Sequence, residues 1–184
     1  MKKFTVKSIK LPKDVDEKYS QMNYLKEISK HIDDVKDGEK DDFVMFSASG
    51  HIEPLYLKNC IKHFEYLPEN ITNFIIKNYD VNKFNLIGQI LQTKHPLIFQ
   101  TFTQVMNGNI ISLGCEFALH KKLFEEYYNW HVSVIADLMG GIPAGHSSAD
   151  VPVTKEEMTI INDILFTSYW LCYGNVNKGS IFVI

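Results

Sequence analysis

The densest collection of reactive residue types lies in GGIPAGHSSADVP, residues 140–152, where His146, Ser147 and Asp150 stand among three glycines and two prolines. Serine, histidine and aspartate together are the residue types of nucleophilic acyl transfer. Their spacing speaks against that chemistry, because triads draw their members from separate segments of a fold. No G-x-S-x-G elbow occurs in the chain, and that elbow is what exposes a nucleophilic serine at a strand-to-helix turn. The glycines also miss the G-x-x-x-x-G-K-[ST] and G-x-G-x-x-G forms that cradle phosphates. The stretch reads as a connector or recognition loop, with Gly140 and Gly141 ending one helix and the serines and Asp150 bonding local backbone.

A second set of reactive residues follows from helical spacing. Glu116 and His120 are four apart, so on a helix they share a face and could share a ligand. His131 falls on the same stripe, but about 16 Å further along the axis, too far for one metal ion. Cys115 lies close to the expected start of that helix, where the dipole favours a thiolate. His120, five residues on, points about 140° away around the helix and gives that thiol no base. Cys60, Cys115 and Cys172 form no CxxC pair, so neither a zinc pattern nor a complete set of disulfides is expected. The run DDVKDGEKDD, residues 33–42, contains the Asp-Gly of a calcium loop, yet Val35 and Val44 stand where ligands are needed. The expectation is therefore no metal and no cofactor.

Which elements would hold these residues? Apolar periodicity predicts helices over 14–35, 54–67, 68–79, 81–94 and from Pro96 to an Asn107-Gly108 stop. Short strands are expected near 3–11, 42–49, 110–113 and 180–184. A long amphipathic helix is expected over 116–139, with His120, Phe124, Tyr127, His131, Val134, Ile135 and Leu138 on its apolar side. A last helix should run over 154–172, opened by Thr154 and Glu157 as a capping box and flanked by Val153 and Met158 as a staple. The loop of 140–153 between these two helices exceeds the usual connection of about 2–8 residues. The fold class expected is α+β, predominantly α-helical: a helical core with a few short strands.

The last helix carries an ambiguity that bears on function. Ile161, Leu165, Ser168 and Cys172 define one side, while Phe166 and Trp170 lie nearly opposite. A helix with aromatics on both faces is either buried on both sides or docked on a partner. Tyr128 and Trp130 add to the aromatic density nearby, and such rings dominate interface hot spots. Phe166, Trp170, Trp130 and Tyr128 are therefore the candidate partner-binding residues.

Composition narrows the partners. All nineteen basic residues are lysine, and the formal charge is −3. Without arginine the chain lacks the planar fork used on phosphate and guanine, and without a basic cluster it has no footprint for nucleic acid. Charge concentrates in residues 1–42, expected to form a charged peripheral layer of one globular domain spanning 1–184. No apolar run reaches the 18 or more residues of a membrane span, and the lysine-bearing start has no apolar run of a secretory signal behind it. A cytoplasmic address is expected.

The sequence points first to a protein-binding module, such as an inhibitor or immunity protein that neutralises a toxin or enzyme. Its partner would be another protein, not nucleic acid or a membrane, and a homo-oligomer is compatible with the same surfaces. The alternative is a small-molecule-binding protein or hydrolase-type enzyme with a pocket between helices, using Glu116, His120, His131 and His146. No assembled catalytic motif favours the enzyme, so it stands second.

Overall fold

The computed structural model describes residues 25–27, 29–30, 43–46, 61–62, 65–112, 117–140 and 153–174. Among them the chain is predominantly helical. The helices are α1 (Ile71–Asn78), α2 (Val81–Lys94), α3 (Pro96–Asn107), α4 (Lys121–Gly140) and α5 (Lys155–Gly174). Leu25, Lys26, Glu27, Ser29 and Lys30 are also helical, within the helix expected over 14–35. The strand segments are short: β1 (Phe43–Phe46), β2 (Ile61–Lys62), β3 (Glu65–Tyr66), β4 (Ile110–Ile111) and β5 (Phe117–His120).

Local chemistry sets the helix ends. Asn70 caps α1 by accepting the Asn73 amide at 2.8 Å, and Asp80 caps α2 by accepting the Asn82 amide at 3.0 Å. Pro96 occupies the first turn of α3, where its missing N–H is no loss. At the start of α5 the expected capping box is formed. The Glu157 amide donates to Thr154 Oγ1 at 3.2 Å, and the Thr154 amide donates to Glu157 Oε2 at 2.7 Å. Val153 and Met158, the expected staple, are both buried.

Every residue of α5 from 161 to 170 is buried, so α5 is the central helix and the others wrap it. Its closest neighbour is α3. Thr101 on α3 clips the two together by donating its hydroxyl to Ser168 O at 2.9 Å. A continuous apolar core runs from Ile71 and Ile75 on α1 through Phe84, Ile87 and Leu91 on α2 to Phe124, Ile135 and Met158. β3 and β4 pair antiparallel, Tyr66 opposite Ile110, and β5 lies between β1 and β2 in a three-stranded antiparallel ladder.

Two expectations are corrected. The helix expected over 116–139 begins at Lys121, because Phe117–His120 is the middle strand of the ladder. Four residues fit a helical stripe and a strand equally well, and cross-strand pairing on both sides decides for the strand. His120 thus lies on β5, in register with Phe43, and not on the helical stripe expected of it. The helix expected over 54–67 is likewise replaced at 61–62 and 65–66 by β2 and β3. The strands expected near 3–11 and 180–184, and residues 47–49 of the third, lie outside the described residues, as do Glu116, His146 and the loop of 141–152.

Candidate functional site

Polar chemistry inside the molecule concentrates on α5 and on the helices touching it. At its first turn, Lys83 of α2 donates to Glu157 Oε2 at 2.5 Å, with side-chain exposures of only 9% and 6%. Glu157 also accepts from the Thr154 amide and, at 3.5 Å, from the Asp80 amide. Burial, the largest single influence, pushes the Glu157 carboxyl up. The Lys83 hydrogen bond, the Thr154 amide, the lysine charge and the Asp80 amide together outweigh it and hold the carboxyl below its usual value. One side chain therefore caps α5, neutralises a buried lysine and ties α2 to α5. A shallow cleft of about 480 Å³ opens beside this joint, lined by Lys77, Asn78, Tyr79, Asp80, Thr154, Glu156 and Glu157. The positive end of the α5 dipole faces Glu157 itself, so the helix start already holds its anion.

One turn and a half further along, Asn162 Oδ1 meets His131 Nε2 of α4 at 2.8 Å. His131 is fully buried, and its pKa is lowered to about 4, by burial first, with the Asn162 hydrogen bond acting weakly the other way. The imidazole is therefore neutral near pH 7, with Nε2–H donating to Asn162 Oδ1. Tyr127 stands 5.4 Å away, ring centre to ring centre. His131 bridges α4 and α5 inside the core. It is not displayed to a pocket.

The four aromatic candidates fall into two groups. Phe166 and Trp170 are 2% and 5% exposed, and their rings stack in parallel at 6.5 Å. They pack inside the chain, so a partner would meet neither ring; the two-faced pattern of α5 is that of a central helix. Trp130 and Tyr128 on α4 are half-buried. Trp130 packs against Tyr169 at 4.9 Å, while Tyr128 stacks on Phe124 at 6.2 Å. Cys172 is half-buried and its thiol is pushed up by burial, with a Thr101 hydrogen bond opposing, which disfavours the reactive thiolate. Among the described residues no group of three His, Cys, Asp or Glu side chains converges as metal ligands would. Among them, too, no helix is long and apolar enough to cross a membrane.

Sequence reasoning missed two features. Lys83 and Glu157 are 74 positions apart, and periodicity carries no sign of that pairing. The second is the joint between α2 and α4. His95 stands edge-on to Trp130 at 6.1 Å, and Asp137, one to two turns beyond Trp130 on α4, bonds Lys94 at 2.6 Å.

The class of architecture this defines is a helical assembly around one buried central helix, edged by short antiparallel strands. No family model matches the chain, and neither does any curated protein sequence. Among solved structures, its fold is similar to that of WbbM, described as a bifunctional glycosyltransferase in its apo form, with a TM-score of 0.50 and 14% identity. The likeness takes in 92% of this chain and 27% of that one. At that identity it is a likeness of fold.

Proposed function

We propose that this chain is a glycosyl-transferring unit, moving a sugar from an activated donor to an acceptor hydroxyl. The observation that carries the reading is the fold likeness to a glycosyltransferase over 92% of the chain. It develops the small-molecule alternative of the sequence, and the burial of Phe166 and Trp170 removes the strongest sequence argument for a docking face. His131 serves the core and is not offered as acid or base. The test is donor-dependent nucleotide release. The purified chain is incubated with UDP-glucose, UDP-galactose, GDP-mannose and CMP-linked sugars, with and without magnesium or manganese, and free nucleotide is measured. Release above the protein-free rate with one donor supports the reading; no release and no binding with any donor counts against it.

A protein-binding role remains as a second reading. Tyr66 and Ile110 stand directly opposite each other on β3 and β4, 67% and 40% exposed. An exposed apolar pair on a short ladder is a surface another protein could cover. The test is capture of the same prey by the wild type but not by a Tyr66→Ser, Ile110→Ser double variant. With either reading go the finer α+β class, which a minor sheet signal in amide-I infrared spectra would support, and the cytoplasmic address, which fractionation of native cells would test.

A further inference from the structure

Charged residues make up 22% of the chain, yet between Phe84 and Ile110 the sequence holds only Lys94. That stretch is not all interior. On α2 it reaches solvent at Asn85, Gln89 and Gln92, and on α3 at Leu97, Gln100, Gln104 and Asn107. Lys94 is paired with Asp137 of α4 at 2.6 Å. α3 itself carries no charged residue, so its exposed face is amide, hydroxyl and aliphatic from end to end. Leu97, Gln100, Gln104 and Asn107 are three, four and three positions apart, the spacing of a single stripe along a helix. The stripe spans about 15 Å. At its start Leu97 is 64% exposed. Just past its end β4 brings Ile110, exposed like its cross-strand neighbour Tyr66.

Depletion of charge, more than bulk hydrophobicity, sets the centre of a protein–protein interface apart from the rest of a surface. The side chains present select the partner. A carboxamide both donates and accepts, so a row of carboxamides matches an identical row. A charge-free face also lets two copies of a chain of formal charge −3 meet without setting like charges together. A neutral glycan would find the same amides, but the stripe gives its rings no aromatic floor: its one large apolar side chain is Leu97. We infer that α3 is the contact between two copies of this chain, packed antiparallel about a two-fold axis level with residue 102. In that register Gln100 of each copy faces Gln104 of the other. Leu97 falls at the Asn107 end of the other copy, where Ile110 and Tyr66 stand exposed. Antiparallel packing also opposes the two helix dipoles. The inference is independent of glycosyl transfer. It deepens the protein-binding reading by naming the partner, and a monomeric chain that still captures prey through Tyr66 and Ile110 would overturn it while leaving that reading standing.

Sedimentation equilibrium of the full chain, from micromolar to millimolar concentration, reads the oligomeric state. Two double variants carry the test. Gln100→Lys with Gln104→Lys sets ammonium against ammonium in the proposed register. Gln100→Glu with Gln104→Lys sets carboxylate against ammonium at both contacts. Both change exposed positions to good helix formers, and an unchanged helical circular dichroism signal checks the fold. The expected result is a monomer–dimer equilibrium in the wild type, weakened tenfold or more by the lysine pair and as tight or tighter with the glutamate–lysine pair. A wild type that stays monomeric throughout overturns the inference, as does a dimer indifferent to the lysine pair. A dimer lost in both variants overturns it too, because a parallel pairing would set like charges together in each. A monomer retarded in gels containing dextran or laminarin would give the face to a neutral glycan instead.

Discussion

His131 gives the account a quantitative test in the physics of the core. The side chain is fully buried, and its pKa lies near 4 instead of the ordinary 6.5. The folded chain therefore resists protonation over a range in which the unfolded chain accepts a proton. A depressed folded pKa contributes stability that is fully present above about pH 6.5 and is lost as pH falls towards 4. Each unit of separation is worth about 1.4 kcal/mol, so some 2.5 units give a loss of about 3 kcal/mol between pH 7 and pH 4. That is a large part of the roughly 5–15 kcal/mol that holds a domain together. The assay is urea unfolding of the wild type and of His131→Gln at pH 7, 6, 5 and 4. Glutamine does not titrate in this range and keeps an amide donor towards Asn162. The variant will be less stable at pH 7, but its decline on acidification should be shallower than that of the wild type by about 3 kcal/mol. Other titrating groups, Glu157 among them, act on both proteins and cancel in the difference. Parallel pH profiles would refute the reasoning, because they would mean that His131 meets water in the folded chain.

Further outcomes follow from packing and pairing. Lys83→Met leaves the Glu157 carboxylate buried without its cation and should cost about 3–5 kcal/mol in urea melts; a loss below about 1 kcal/mol would show the joint to be wet. Trp170→Ala empties a core position and should cost about 3–5 kcal/mol, whereas a near-native midpoint would return Trp170 to the surface. Gly88 lies within α2, and an added Cβ would rest 3.5 Å from Phe102 Cε1, an ordinary contact. Gly88→Ala should therefore raise the urea midpoint, corresponding to about 0.5–1 kcal/mol of added stability; a fall would show that α2 and α3 pack more tightly than the geometry indicates.

The sequence made the middle of the chain readable because its signals there are local. Asp80, Pro96 and the Asn107-Gly108 stop bound α2 and α3 as their cap and turn chemistry requires, and Thr154 with Glu157 opens α5 at the expected place. Phe117–His120 was misread because a strand bonded on both sides draws its stability from distant partners, Phe43–Phe46 and Ile61–Lys62, which a helical stripe cannot reveal. The same limit applies to chemistry. Trp170 was legible as aromatic on a second face, but whether that face met solvent or the core depended on the helices surrounding α5. His131 and Asn162 are 31 positions apart, and Lys94 and Asp137 are 43 apart; neither pairing leaves a periodic trace.

The proposed glycosyl transfer is tested most directly by looking for the transferred group itself. The full chain is incubated with the donor that gives the greatest nucleotide release and with simple alkyl glycosides as acceptors, and the products are read by mass spectrometry. Glycosyl transfer yields an acceptor heavier by one glycosyl residue, formed only with chain and donor together. An acceptor of unchanged mass with every donor, from a chain whose helical circular dichroism signal shows it folded, would contradict it.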